Sequence, residues 1–409
     1  MPIFHKFLLG TELAIDLLWQ RPQEVQDDGF VPPVVGGPNH PAKKIKRYKM
    51  ENFDFCKIMN DACEKVEKET GHINIIIAGR TGVGKSTLIN SVFQGNMAET
   101  GQGKPVTKTT REITKEGIPL SIFDTRGLET IEYKETISEL KTLISERRNE
   151  TDLNRQLHVA WVCITEDSRR VEDAEIELVD MLAEYMPVIA IITKARADNG
   201  FQHDVENLLP KAKNVIRIRS IGETFDNGIE LQPMNLEKLI DLTQEVIPEG
   251  RRNAFAAAQK ASLKQKVSRA QGIIAGAATA AITAGASPIP FSDAAVLIPI
   301  EIGMLAGISK VFGLDLSKGL LGTLVSSMLG TSAATLGGKA IVSGILKCIP
   351  GAGTVIGAVV SGATAGTLTT ALGELYVGTL KAVFNATKGE VPTADLVVAE
   401  FKNQLAKNN

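Results

Sequence analysis

Gly79-Arg-Thr-Gly-Val-Gly-Lys-Ser-Thr87 fits the pattern G-x-x-x-x-G-K-[ST], with Gly79, Gly84, Lys85 and Ser86 in the fixed places. Each fixed residue has a task on a nucleoside triphosphate. The glycines let the backbone turn tightly, so that N–H groups of Gly79, Arg80, Thr81, Gly82, Val83, Gly84, Lys85, Ser86 and Thr87 can point at phosphate oxygens. Lys85 places a charge on the β- and γ-phosphates, and Ser86 offers a hydroxyl to Mg²⁺. The helix that begins here adds its positive N-terminal end. Ile73-Asn-Ile-Ile-Ile-Ala78 before it is apolar and β-branched, as a buried parallel strand requires, and Thr87-Leu-Ile-Asn-Ser-Val-Phe93 after it has helical spacing.

Outward from this loop, strand patterns at 73–78, 118–124, 157–164, 187–193 and 214–219 alternate with helical stretches. That alternation over 51–250 predicts an α/β fold, a doubly wound and mainly parallel sheet, with ligand at the carboxyl ends of the strands. Residues 1–50 read as a short amphipathic helix, a proline-rich linker at 21–42 and a basic run at 43–49. Residues 251–409 read as an all-α, Gly/Ala-rich domain that opens with one basic helix over 251–271 (Arg251, Arg252, Lys260, Lys264, Lys266, Arg269).

A formal net charge of −2 over 409 residues excludes wholesale nucleic-acid binding. Cys56, Cys63, Cys163 and Cys348 show no C-x-x-C pair, and the five histidines form no H-E-x-x-H pattern; thiols of a reducing compartment are expected, with neither a disulfide framework nor a zinc site. The chain is expected to be cytoplasmic and membrane-associated. Gly319 to Gly338 and Cys348 to Gly373 carry no charge over spanning length, and Gln271 to Ser292 is interrupted by Pro288 and Pro290; about 20 apolar residues cross a bilayer. Gly272/Gly276, Gly303/Gly307, Gly353/Gly357 and Gly362/Gly366 have the small-xxx-small spacing of closely approaching helices, in lipid or in a tight soluble bundle. Asp293, in Pro-Phe-Ser-Asp before an apolar run, reads as a helix start, and Glu301 as a surface or paired acid if the bundle is soluble.

Two further signals turn the loop into a switch. Asp124-Thr-Arg-Gly127 follows an apolar run, so Asp124 is placed to hold Mg²⁺ through water and the Gly127 amide to sense a γ-phosphate. Between the two lies Pro105-Val-Thr-Lys-Thr-Thr-Arg111, where Thr107, with Thr109 and Thr110 as alternates, completes the metal shell. Lys85 and Thr107 are the expected catalytic residues; Ser86, Thr107 and Asp124 are the expected metal ligands.

These three elements resemble the translation-factor-related GTPases, in particular the Era-like and immunity-related groups. That resemblance implies GTP/GDP and Mg²⁺ as ligands, and a base-recognition motif [NT]-K-x-D after a strand. Thr193 and Lys194 match it, Arg196 stands where the aspartate belongs, and Asp198 lies two residues on. Ser220 is the expected loop residue at the base. Leu128 follows the switch glycine, so assistance to hydrolysis must come from elsewhere: Glu129, a partner, or a second copy across the nucleotide face. Ser287-Pro-Ile-Pro-Phe-Ser-Asp293 and Glu301-Ile-Gly-Met304 resemble a helical domain fused to bacterial Era-like GTPase domains and described as membrane-associated. The resemblances together imply a slow, Mg²⁺-dependent GTPase switch that works through the basic helix on a membrane surface or bilayer. The alternative is a nucleotide-gated membrane scaffold or remodelling protein with negligible hydrolysis; a third reading, from the displaced aspartate, is an ATPase.

Overall fold

Six residues of the strand β1 (Ile73–Ala78) are buried on both sides, which only a central strand with helices on each face achieves. In the computed structural model, which describes residues 55–100, 104–105, 110–125, 133–285, 293–316, 320–324 and 362–408, β1 lies inside a seven-stranded sheet. Its order is β2-β3-β4-β1-β5-β6-β7, with β2 Lys104–Pro105, β3 Thr110–Thr114, β4 Leu120–Thr125, β5 Val159–Thr165, β6 Val188–Thr193 and β7 Asn214–Arg217. β1 pairs in parallel with both β4 and β5, β5 with β6, and β6 with β7. β2 and β3 are antiparallel additions at one edge. All five expected strands are present; the two short edge strands and the separate β8 (Glu223–Thr224) and β9 (Glu230–Leu231) hairpin were not foreseen.

Helices cover both faces. Ile73, Ile75 and Ile77 pack with Leu88 and Val92 of α2 (Lys85–Val92) and with α7 (Leu236–Val246) and α8 (Glu249–Ala258). Ile76 and Ala78 face the other way, onto α4 (Tyr133–Arg148), α5 (Asp173–Leu182) and α6 (Phe201–Leu208). Each fully buried isoleucine contributes about 1.5–3 kcal/mol, so the two-sided alternation of β1 pins it between the layers. α3 is the short helix Met97–Thr100.

The helical half is built on a separate core. α9 (Leu263–Gly285), α10 (Asp293–Val311), α11 (Gly362–Ala386) and α12 (Ala394–Asn408) bury Ile274, Leu305, Leu372, Tyr376 and Phe401 together. α1 (Phe55–Thr70) joins this core through Met59 and Cys63, although it precedes β1 in the chain. α9 and α11 approach closely because Gly366 and Gly373 lack side chains: a Cβ there would meet Ile282 Cγ1 at 2.4 Å and Ile274 Cγ1 at 2.6 Å. α10 spans Asp293–Val311, and Glu301 on it is a buried residue rather than a surface acid.

The basic helix expected over 251–271 is two helices, α8 and α9, separated by Gln259–Ser262. The chain turns there because Gln259 and Phe93 form an isolated antiparallel bridge, and the Lys260 amide donates to Val92 O at 2.8 Å. The charges expected on one helix are dispersed. Arg252 and Arg269 meet Glu249, Lys260 meets Glu390, and only Lys264 among these lysines and arginines is exposed. Among the described residues no helix is long and apolar enough to cross a membrane. Gly319, residues 325–338 and residues 348–361 of the two uncharged stretches, together with 1–50, lie outside the described residues.

Candidate functional site

β1 delivers the chain into the loop. Gly79, at φ 140°, passes so close to β5 that a Cβ would sit 2.4 Å from Cys163 O. Gly82 and Gly84 follow at φ 74° and 105°, in the left-handed region that glycine enters freely. A Cβ at Gly82 would meet nothing within 4 Å, so the space beside this residue is open. Gly84 caps α2, and Ser86 and Thr87 are exposed in its first turn. Lys85 bends back across the loop, donating from Nζ to Gly79 O at 2.7 Å and to Arg80 O at 3.2 Å.

Neighbouring strands brace this cradle. Thr193, last residue of β6, is buried and donates from Oγ1 to Val83 O at 2.6 Å, with Ile164 O 3.1 Å away. Asp124 lies near the end of β4, opposite Ile77 of β1 and so just below the loop. Burial pushes the Cys163 thiol up to about 12, with Lys85 pulling it down and Asp124 adding to the rise. That thiol stays protonated and inert beneath the loop. Arg80 leaves the cradle to meet Glu172 at 3.1 Å, and Arg170 meets the same carboxylate at 3.0 Å.

A nucleotide-bound Mg²⁺ fits this donor set. The Ser86 hydroxyl and the Asp124 carboxylate are hard oxygen donors, and Mg²⁺ is ordinarily completed by phosphates and water rather than by an all-protein cage. No group of three or more His, Cys, Asp or Glu that could hold a metal unaided occurs among the described residues. Thr107, Thr109, Gly127, Leu128 and Glu129 lie outside the described residues. Thr110, the remaining alternate, is a buried residue of β3 opposite Thr125.

The base end is less regular. Lys194 follows Thr193 with φ 53°, and Ala195 is buried, its amide donating to Ile218 O at 3.1 Å. Asp198 is turned aside: its Oδ1 accepts from the Gln202 amide at 2.9 Å and lies 3.4 Å from Arg217 Nε. Ser220 stands half-buried just beyond Arg219, which ties this segment to the base loop by donating from Nε to Ala195 O at 2.8 Å. Sequence reasoning missed Glu166. This buried acid at the end of β5 accepts from the Arg196 and Ala197 amides at 2.7 and 2.8 Å and pairs with Arg217 at 2.7 Å. Burial raises its pKa, but the Arg217 bond and the two amides outweigh that and leave it below the usual carboxylate range. An acid one residue past a strand carries no local mark of such a role.

Residues 74–194 match the family model described as 50S ribosome-binding GTPase. The loop, its lysine and its strand fall within this matched segment, and the sheet around them has the P-loop GTPase fold. Residues 251–407 match a domain of unknown function (DUF697). "Magnetosome membrane protein 22" of Magnetospirillum gryphiswaldense is 30% identical over 131 residues, 31% of this chain and 64% of that protein. A "tRNA modification GTPase MnmE" of Malacoplasma penetrans is 31% identical over 129 residues, 31% of this chain and 27% of that protein. The matched segment thus spans under two thirds of one relative and about a quarter of the other. A solved structure of elongation factor SelB from Methanococcus maripaludis overlaps at TM-score 0.27 and 14% identity, over 44% of this chain and 35% of that one, too slight to bear on the assignment.

Proposed function

We propose that the chain is a Mg²⁺-dependent GTP-binding protein of the Era-like type that hydrolyses GTP slowly and switches a helical, membrane-associated half. The observation that carries the reading is the glycine cradle at Gly79–Gly84, with Lys85 arched across it and Thr193 clamped to Val83. On nucleotide entry Lys85 exchanges its two carbonyl acceptors for β- and γ-phosphate oxygens, a charge-assisted gain. Ser86 and Asp124 would hold the metal ion, which would supply charge neutralisation at the phosphates. Thr107 and Gly127 are the proposed γ-phosphate sensors. The domain map proposed is 1–50, 51–250 and 251–409.

Coupling to the helical half is proposed to run through the C-terminal end of α2 rather than through one basic helix. Phe93 stacks on Trp161 at 5.6 Å and meets Phe255 edge-on at 6.1 Å. Buried Gln94 donates from Nε2 to Gly389 O at 3.1 Å, and the Gly95 amide donates to Glu390 Oε2 at 2.9 Å. The helix that starts at the phosphates thus ends on the loop between α11 and α12. A membrane surface is the proposed site of action; the name of the magnetosome relative supports it.

Nucleotide binding, and turnover against protein concentration with and without anionic vesicles, test the proposal. Slow turnover that rises with concentration or vesicles is expected, through pairing of two copies across the nucleotide face. Fast, concentration-independent turnover overturns the slow-switch reading, and absent turnover favours the nucleotide-gated scaffold. Lys85→Ala should remove binding; unchanged affinity would sink the assignment.

A further inference from the structure

α10 and α11 run side by side in the same direction. A Cβ on Gly373 of α11 would meet Met304 Sδ of α10 at 3.1 Å, and further along both helices Ser309 Oγ lies 2.7 Å from Tyr376 Oη. About one turn back from Met304 and Gly373, Glu301 of α10 stands level with Thr369 of α11. At about 100° per residue, Glu301 projects between the directions of Met304 and Ser309, and Thr369 between those of Gly373 and Tyr376. Both side chains therefore point into the seam between the two helices.

Neither side chain is answered there. Glu301 is 7% exposed and Thr369 0%. Thr369 Oγ1 has no hydrogen-bond partner. Thr367 and Thr370 donate to Ala363 O and Gly366 O, each at 2.9 Å, and Thr379 to Leu375 O at 3.0 Å, so their hydroxyls are spent on their own helix. Thr369 keeps its hydroxyl for the seam. A buried carboxylate is costly unless a cation or several donors meet it. Among the described residues none does: burial alone acts on Glu301 and raises it, with no contribution from Asp61 or Lys65 of α1, Arg252 of α8, Lys266 or Arg269 of α9, or Glu374 of α11. A neutral carboxyl carries one O–H donor in need of an acceptor, and a hydroxyl oxygen accepts.

We infer that Glu301 and Thr369 form a proton-binding site between α10 and α11, in which the acid O–H is donated to the threonine hydroxyl, directly or through one bound water, and loss of the proton parts the two helices. The C-terminal end of α10 carries the consequence toward the sheet domain. Val311 O accepts from Lys266 at 3.0 Å, and Gln94 Nε2 donates to Phe312 O at 3.5 Å. The seam is a proton-operated element one helix away from the end of α2.

Infrared difference spectroscopy and amide hydrogen exchange on the full chain test the site. The native spectrum minus that of Glu301→Gln is expected to show one protonated-carboxyl band at pH 6, fading as pH rises through about 8. Thr369→Val should shift that band, and Thr369→Ser, which keeps the hydroxyl, should leave it in place; Thr369→Ala serves if Thr369→Val does not fold. Exchange of α10 and α11 amides, corrected for the intrinsic rate, should rise about tenfold per pH unit from pH 6 to 8 in the native chain and stay level in Glu301→Gln. A native chain without the band at pH 6, or a band indifferent to loss of the Thr369 hydroxyl, overturns the site. Exchange with one pH dependence in the native and Glu301→Gln chains overturns the parting of the helices.

Discussion

The α/β half and the helical half bury ionisable groups in opposite ways. In the sheet domain Glu166 and His158 sit at strand ends, where irregular backbone offers partners. Glu166 collects two amides and Arg217, and His158 accepts from the Asn74 amide at 3.0 Å and faces Arg251. The helical half places Lys266 at 0% exposure and Glu301 at 7% within helices whose backbone is already paired. Lys266 answers by capping: its Nζ donates to Ala256 O at 2.6 Å and Ala257 O at 3.2 Å in the last turn of α8, and to Val311 O at 3.0 Å at the end of α10. Burial pushes its pKa well down, while two helix C-termini supply the negative ends that favour its charge. Glu301 instead gives up its charge, with burial pushing it to about 8. A buried charge among helices either reaches a helix end or is neutralised.

The pH dependence contributed by Glu301 and by His158 should therefore differ in sign, and Glu301 is where the largest change is expected. Both folded and unfolded chains hold the Glu301 proton below pH 4.5; between 4.5 and about 8 only the folded chain does, so stability falls across that window and stays low above it. Glu301→Gln should flatten the fall and gain up to about 5 kcal/mol above pH 8, at ~1.4 kcal/mol per unit. Denaturant titrations at pH 5 and 8.5 measure this, and equal slopes in the two proteins would break the contrast. Lys266→Ala removes the donor from three carbonyls and should cost about 4 kcal/mol by the same titration; a change below 1 kcal/mol would show that water replaces the ammonium.

His158 supplies the opposite sign. Burial first, then Arg251, lowers it from 6.5 to about 4, so its stability contribution is complete above pH 6.5 and is lost as pH falls toward 4. The loss should reach about 3 kcal/mol, and His158→Gln should remove it from thermal melts between pH 4 and 7. The smallest effect is expected at the seam between the halves. Gln94→Ala should cost about 1 kcal/mol, yet abolish any vesicle stimulation of turnover while leaving nucleotide affinity unchanged. Retained stimulation would show that coupling passes elsewhere.

Local patterns reported themselves well. The strand at 73–78 was legible because a run of five apolar residues in six, mostly β-branched, precedes a glycine turn, and a doubly buried strand needs nothing more distant. The single helix over 251–271 was misread because its break at Gln259 answers to Phe93, more than a hundred residues away. Periodicity runs through such a break without registering it. Six cations in that stretch made it read as one basic connecting helix, but Lys266 is buried and the Lys260 ammonium pairs with Glu390. Nothing next to Lys266 in the chain announces two helix ends in space.

The phosphate end of the site was determined by sequence alone. Gly79 to Thr87 must turn, present N–H groups and begin a helix, and each requirement is met by residues next to one another. The base end was decided only by the fold. Asp198 was the acid within reach by counting, but the start of α6 and Arg217 claim it, and Arg196 meets Glu223 from a hairpin that the chain reaches after another strand. Backbone geometry is a property of neighbours in sequence; the balance of charge is a property of neighbours in space.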